Sequence, residues 1–126
     1  MKGQGGLLLR KLIVILYILA FLGAFVVHAG DILRFGFFSY AWASPFFNVF
    51  WTLLTLADLL VVYFLIKRVR LGIWLVLLVM VLDVLVNLIW DSISPNPRNY
   101  GLFAQILFLG FVLGSFPFLV SRRASA

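Results

Sequence analysis

The chain has 126 residues, of which 65% are hydrophobic and only 11% are charged, and its mean hydropathy is +1.19. Soluble globular domains are about half apolar and about one-quarter charged, so this composition excludes an ordinary soluble enzyme and indicates a polytopic membrane protein. The net charge is +6, and because cysteine is absent, disulfides, thiolate catalysis and cysteine-ligated metal sites are excluded.

Four long apolar runs predict four transmembrane helices, over residues 10–30, 45–66, 71–92 and 100–120. Each run is close to the ~20 residues that cross ~30 Å of hydrocarbon. The connecting segments are short, which favours antiparallel packing of consecutive helices. We therefore predict an all-α fold, an antiparallel four-helix transmembrane bundle that forms a single domain over residues 1–126.

The segments between the runs differ in character. Residues 31–44 are dense in aromatic side chains, which is typical of a segment lying at the membrane interface. Residues 67–70 predict a tight turn, and the prolines within residues 92–99 exclude a continuous helix there. Residues 1–6 are expected to be a disordered tail, and Pro117 is expected to kink or end the last helix.

The basic residues are distributed unequally between the two ends of the predicted helices. If the helices alternate across the bilayer, Arg34 and Arg98 fall on one side, and eight others fall on the opposite side: Lys2, Arg10, Lys11, Lys67, Arg68, Arg70, Arg122 and Arg123. This bias predicts a multi-pass plasma-membrane protein with both termini in the cytoplasm and anionic lipid headgroups as partners of the basic residues. Nucleic-acid binding is not expected, because the basic clusters are short and lack a nucleic-acid-recognition motif. Cleavage of a signal peptide near residues 27–29 is an alternative that leaves three helices.

Polar and aromatic side chains interrupt the apolar runs on one face of each predicted helix. They are His28 on the first helix, Trp51, Thr52, Thr55 and Asp58 on the second, Asp83, Asn87, Trp90 and Asp91 on the third, and Gln105 on the fourth. An aspartate that faces lipid costs about 2.5–3.5 kcal/mol, so these faces are expected to point inward. We predict an outward-open acidic pocket, with Asp83 near its middle and Asp58 at its floor.

Structural roles are the alternative for most of these residues. Threonine, asparagine and glutamine side chains commonly form hydrogen bonds between membrane helices, which suits Asn48, Thr52, Thr55 and Gln105. The charges at the predicted membrane boundary are also explained by solvation: Asp31, Arg34, Asp91 and Arg98. Asp58 and Asp83 are harder to explain in this way, because an intramembrane carboxyl group usually marks a functional site. Their structural alternative is a protonated, hydrogen-bonded carboxyl group.

Gly110 and Gly114 form a GxxxG pattern on the fourth helix. Glycines at this spacing allow two helix backbones to approach closely. Both lie about 140–180° around the helix from Gln105, which predicts a homodimer contact through this helix, and tight packing within one chain is the alternative.

The residues favour binding or transport over catalysis. One histidine and no cysteine do not favour a haem or metal site, and the sequences around Asp58 and Asp83 lack the Gly-Asp signature of intramembrane aspartyl proteases. No cofactor is expected, and an enzyme acting on lipid is a less favoured alternative. We predict binding or proton-coupled transport of a small cationic or amphipathic molecule. Asp83 would be the counter-charge, Asp58 a proton site, and Asn87, Gln105 and His28 orienting groups. The rival is a non-transporting accessory or immunity-type protein that acts through helix–helix contacts.

About half of the chain carries a resemblance. It consists of Asn-Val-Phe-Trp-Thr at residues 48–52, Asp58, a Lys67-Arg68 turn ending in Gly72, and Met-Val-Leu-Asp-Val-Leu-Val-Asn at residues 80–87. These stretches resemble a family of small four-helix bacterial inner-membrane proteins. The resemblance implies a bacterial inner-membrane location and assigns no activity.

Overall fold

The computed structural model describes residues 2–121, with side chains from residue 3 onward, and the regular secondary structure of this part is α-helical. Four helices follow one another along the chain: α1 (Lys2–Phe35), α2 (Pro45–Lys67), α3 (Val69–Ile93) and α4 (Tyr100–Val120). All four are long and apolar enough to span a membrane. The prediction of four transmembrane-length helices is confirmed, whereas their antiparallel arrangement and their orientation remain predictions. Arg122 and Arg123, which contribute to the predicted orientation, lie outside the described residues.

Large apolar side chains are exposed along every helix. Val26 on α1, Ile66 on α2, Leu78 on α3 and Leu107 on α4 are each more than half exposed. Soluble monomers rarely expose extensive apolar patches, whereas a helix in a bilayer turns such side chains toward lipid. The exposed surface of the chain is therefore compatible with a multi-pass membrane protein.

Helix α1 is longer than predicted at both ends. It begins at Lys2, so the prediction of a disordered tail is wrong over residues 2–6, which continue the helix without a proline to stop it. At the other end the helix continues to Phe35 and stops at Gly36. Gly36 has φ +83°, and its N–H donates to the carbonyl of Ile32 over 2.8 Å. Glycine ends the helix there because it adopts this left-handed conformation at little cost.

The turn between α2 and α3 consists of one non-helical residue, Arg68. Its N–H donates to the carbonyl of Phe64 over 2.7 Å, and its own carbonyl accepts from the N–H of Gly72 over 2.9 Å. A Cβ atom placed on Gly72 would lie only 2.5 Å from the backbone nitrogen of Leu65. The tight turn predicted for residues 67–70 is present, and it brings the start of α3 so close to the end of α2 that only glycine fits.

Helix α4 begins with a side-chain cap and contains a proline near its end. The Asn99 side chain accepts a hydrogen bond from the N–H of Leu102 over 3.1 Å. Pro117 lies inside α4, which continues three residues further, to Val120. The helix therefore does not end at Pro117, because its last turn still forms a backbone bond from the N–H of Ser121 to the carbonyl of Pro117.

The Asn99 cap is expected to stabilise α4 measurably. Asn99→Ala should lower the free energy of unfolding by about 1 kcal/mol, because one N–H of the first turn loses its acceptor. Ser44 is a matched control, since it precedes α2 without a side-chain cap bond and Ser44→Ala should change little. Thermal unfolding in detergent, followed by circular dichroism, measures both, and equal losses for the two variants would contradict the cap.

The contacts divide the chain into two compact units. The first comprises the residues up to Ile15 together with those from Ile73 onward, and the second comprises Leu16–Gly72. Tyr17 and Val61 are fully buried in the second unit, and Val76 and Val112 in the first. Each unit also contains one buried carboxyl group: Asp58 in the second unit is 3% exposed, and Asp83 in the first is 8% exposed.

Candidate functional site

The second unit contains a row of four polar side chains, which we call the histidine row: Asp31, Tyr40, His28 and Asp58. The Tyr40 hydroxyl donates to Oδ2 of Asp31 over 2.8 Å. Nδ1 of His28 lies 3.1 Å from the same hydroxyl, and Nε2 of His28 lies 3.9 Å from Oδ2 of Asp58. The imidazole ring therefore connects a carboxyl group inside an apolar helix with a hydroxyl group near the end of α1.

Three elements position the histidine row. His28 and Asp31 are three residues apart, so they lie on the same face of α1. Asp58 comes from α2, and Tyr40 comes from the connecting segment of residues 36–44. This segment changes direction through Gly36 and Phe38, both of which have positive φ.

Tyr40 is fixed by its backbone and by its ring as well as by its hydroxyl. Its N–H donates to Oδ1 of Asn48 over 3.0 Å. Its ring packs edge-on against Trp51, with 5.4 Å between the ring centroids, and against Trp42 at 6.3 Å. The aromatic density predicted to mark the membrane interface thus also holds Tyr40 next to His28.

The hydrogen bonds restrict where the protons of the histidine row lie. A phenol has one hydrogen, and Tyr40 donates it to Asp31, so the Tyr40 oxygen accepts from an N–H at Nδ1 of His28. Burial raises the pKa of Tyr40, and the hydrogen bond to Asp31 and its negative charge raise it further, so the phenol keeps its proton at neutral pH. With Nδ1 protonated, Nε2 is the ring nitrogen of His28 that faces Oδ2 of Asp58, at 3.9 Å.

The first unit contains a second polar group, the Asp83 cluster of Asp83, Asn87 and Gln105. The amide nitrogen of Asn87 donates to Oδ1 of Asp83 over 2.7 Å and to the backbone carbonyl of Asp83 over 2.8 Å. The same nitrogen lies 3.2 Å from Oε1 of Gln105 on α4. Asp83 and Asn87 meet because they are four residues apart on one helix. Asn87 therefore links the carboxyl group of α3 to the amide of α4.

Asp91 lies at the end of α3, beside a cavity of about 440 Å³. Its Oδ1 accepts from the side chain of Asn99 over 3.3 Å. The cavity is lined by Asp91, Asn96, Pro97, Asn99, Tyr100, Leu102, Phe103 and Ile106. A volume of this size suits a small organic molecule, and the lining combines one carboxyl group with two aromatic rings.

Comparison with family models, curated proteins and solved structures finds no match for this chain. Within residues 3–121, no group of three or more histidine and acidic side chains lies close enough together to hold a metal ion. We therefore base the functional inference on the chemistry of the histidine row, the Asp83 cluster and the cavity beside Asp91.

The predicted site residues fall into separate groups. Asp83, Asn87 and Gln105 are brought together, and His28 is brought to Asp58. Because these groups belong to different units, the single shared pocket remains a prediction.

The other predicted site residues belong to neither the histidine row nor the Asp83 cluster. The hydroxyl of Thr52 donates to the carbonyl of Asn48 in its own helix over 2.7 Å, and not to a neighbouring helix as in the structural alternative. Thr55 has a buried hydroxyl without a hydrogen-bond partner among the described residues. Trp51 is buried against Tyr40, and Trp90 is partly buried on α3.

Tyr40 and Asp31 were not predicted as site residues. Asp31 was interpreted as a solvated boundary charge, but it accepts the Tyr40 hydroxyl. The three-residue spacing of His28 and Asp31 was a signal that could have paired them. Tyr40 offered no such signal, because a segment without helical periodicity does not indicate where its side chains point.

Gly110 and Gly114 are the pair on α4 that is predicted to allow close helix packing. A Cβ atom placed on either glycine would meet nothing within 4 Å among the described residues. Neither glycine therefore has a close backbone neighbour among the described residues of its own unit, and tight intrachain packing remains an untested alternative. The predicted homodimer contact remains a prediction.

Proposed function

We propose that this chain is an integral membrane protein, an antiparallel four-helix bundle with both termini in the cytoplasm, that binds a small cationic or amphipathic molecule and exchanges it for protons. The observation that carries the proposal is Asp83, a carboxyl group only 8% exposed within a helix of 25 mostly apolar residues. Such a group is costly in a membrane, and it typically marks an ion or substrate pathway.

The environment of Asp83 favours a cationic ligand. The amide of Asn87 stabilises a carboxylate through a charge-assisted hydrogen bond, but it does not neutralise the charge. No lysine or arginine forms an ion pair with Asp83 among the described side chains. A buried carboxylate without a cationic partner is unfavourable, so a bound cation would supply the missing charge.

The cavity beside Asp91 supports a route to this carboxyl group. Asp91 and Asp83 both belong to α3, eight residues and about 12 Å apart, and Asn87 lies between them. Tyr100 and Phe103 line the cavity, and aromatic rings attract cations through their faces. A cation could therefore bind at the cavity first and reach Asp83 along one face of α3.

The pair of His28 and Asp58 supports the exchange of protons. Each nitrogen of an imidazole ring can bind or release a proton. Nε2 of His28 lies 3.9 Å from Oδ2 of Asp58. This pair is therefore a suitable acceptor and donor of the proton that compensates a transported cation.

Asp83→Asn tests the proposal in purified protein reconstituted into liposomes. Tetraphenylphosphonium, a lipophilic cation, is the probe, and its affinity is measured by equilibrium dialysis. Removing the carboxylate should weaken binding about 10- to 100-fold, since interactions with a buried charge are worth about 1.5–3 kcal/mol. Arg34→Gln, which removes an exposed charge at the end of α1, is the control and should retain wild-type affinity. Unchanged affinity in Asp83→Asn would contradict the proposal and favour an accessory role through helix contacts.

A further inference from the structure

We infer that the histidine row is a proton relay, in which Tyr40 and His28 carry protons between Asp31 at the end of α1 and Asp58 within α2. This inference rests on the proposed exchange of protons at Asp58, and it specifies the path by which those protons enter and leave. It also gives a role to Asp31 and Tyr40, which the binding of a cation at Asp83 does not use.

The row contains the groups that a relay requires. A hydroxyl and an imidazole can each accept a proton on one side and release one on the other. Tyr40 lies 2.8 Å from Asp31 and 3.1 Å from His28, so both neighbouring contacts are within hydrogen-bond distance. The two carboxyl groups at the ends of the row are its terminal acceptors.

With Nδ1 of His28 and the Asp58 carboxyl group protonated, the row is arranged for transfer from Asp58 to Asp31. A proton passes from the Asp58 carboxyl group to Nε2 of His28, and the proton on Nδ1 passes to the Tyr40 oxygen. The original Tyr40 proton passes to the Asp31 carboxylate. One proton has then left Asp58 and one has reached Asp31, while His28 and Tyr40 keep their net charge. The opposite orientation of the same bonds carries a proton the other way.

The contact between His28 and Asp58 is the point at which the relay is interrupted. The distance of 3.9 Å between Nε2 and Oδ2 is too long for a hydrogen bond and too short to admit a water molecule between the two atoms. A movement of about 1 Å by the imidazole ring or the carboxyl group brings them to ~2.9 Å. Proton transfer between His28 and Asp58 therefore requires a small displacement of one of these two side chains.

Two of the interactions that hold Tyr40 do not depend on its hydroxyl. The bond from its backbone N–H to Asn48 and its packing against Trp51 already hold the segment of residues 36–44. A phenylalanine would keep both interactions. Near Asp31, α1 carries one other charged residue, Arg34, which is exposed. Residues 36–44 contain no charged side chain.

Tyr40→Phe tests the relay because it removes the hydroxyl and leaves the ring. In liposomes, a pH-sensitive dye follows the rate of proton release when tetraphenylphosphonium binds. We expect the rate per bound cation to fall at least about tenfold, which is at the low end of the contribution of a positioned proton-transfer group. Tyr63→Phe makes the same change at an exposed position of α2 and should keep the wild-type rate. A Tyr40→Phe rate within twofold of wild type would overturn the relay, whereas the absence of proton release in wild type would contradict the proposed exchange of protons.

A second measurement needs neither ligand nor transport. The chain contains one histidine, so nitrogen-15 histidine labelling gives the NMR signals of His28 alone. We expect the proton on Nδ1 in wild type and its transfer to Nε2 in Tyr40→Phe, where Nδ1 loses its acceptor. An unprotonated Nδ1 in wild type would overturn the relay even if cation binding persists.

Asp31→Asn also distinguishes the relay from a purely structural role of Asp31. The amide oxygen still accepts the Tyr40 hydroxyl, but it cannot take up the proton, so the release rate should fall while the His28 proton stays on Nδ1. A wild-type rate in this variant contradicts the relay. Failure of wild-type protein to bind tetraphenylphosphonium contradicts the proposed function instead, and the His28 spectrum then decides the relay on its own.

Discussion

Gly72→Ala is expected to lower the free energy of unfolding by at least ~2 kcal/mol, because the added methyl group meets backbone and not a movable side chain. The nearest atoms are the nitrogen and Cα of Leu65, at 2.5 and 2.7 Å, and the carbonyl carbon of Phe64, at 2.8 Å. The backbone of α2 would have to shift, and the one-residue turn at Arg68 leaves little chain to absorb the movement. Thermal unfolding in detergent, together with the yield of monodisperse protein, measures the effect.

Gly23→Ala is the matched control for this prediction. Gly23 lies inside α1, and a Cβ atom there would meet nothing within 4 Å. Alanine has the higher helix propensity, by about 1 kcal/mol, so this variant should be neutral or slightly stabilised. Equal stability of the two variants would show that the turn between α2 and α3 tolerates a wider separation of the two helices than the structure describes.

Asn87→Leu is expected to destabilise the protein by about 1–3 kcal/mol, because the buried Asp83 carboxyl group loses its amide donor. Replacing both groups removes the polar atom that was left without a partner. The double variant Asp83→Leu/Asn87→Leu should therefore be more stable than Asn87→Leu alone. A double-mutant cycle of unfolding free energies in detergent gives the coupling between the two residues.

Thr52→Val is the reference variant with which the free-energy changes of that cycle are compared. Among the described residues the Thr52 hydroxyl bonds to the carbonyl of Asn48 in its own helix, so its loss should cost about 0.6 kcal/mol or less. If the double variant were the least stable of the set, Asp83 and Asn87 would contribute independently, and the Asp83 cluster would not act as one hydrogen-bonded group.

The helices were predictable because an apolar run of about 20 residues matches the thickness of the bilayer and rarely forms anything except a membrane-spanning helix. The start of α2 at Pro45 and the break before α4 follow from proline, which is favoured in a first helical turn and cannot continue a helix interior. The ends of α1 were missed because residues 2–9 and 31–35 contain no proline, and the interior glycines weaken a helix without stopping it.

The candidate site was predictable as a set of residues but not as a set of contacts. Periodicity assigned Asp83 and Asn87 to one face, and their hydrogen bond follows from the four-residue spacing. Which group faces Asp58 depends on how α1 and α2 rotate about their axes, and the helical period within one helix does not contain that information. The pairing of His28 with Asp58, and the approach of Tyr40 to both His28 and Asp31, are therefore properties of tertiary packing.

The length of α1 has a consequence for the kind of bilayer that suits this protein. Its 34 residues extend about 51 Å, whereas the hydrocarbon layer is ~30 Å thick. Lys11 and Asp31 are separated by about 30 Å along the helix, so with both at its boundaries the exposed leucines of residues 7–9 project beyond the layer. Longer acyl chains would bury these leucines but would also draw Arg10 and Lys11 toward hydrocarbon. A change in acyl-chain length is therefore expected to change the tilt of α1, and with it the depth at which His28 lies.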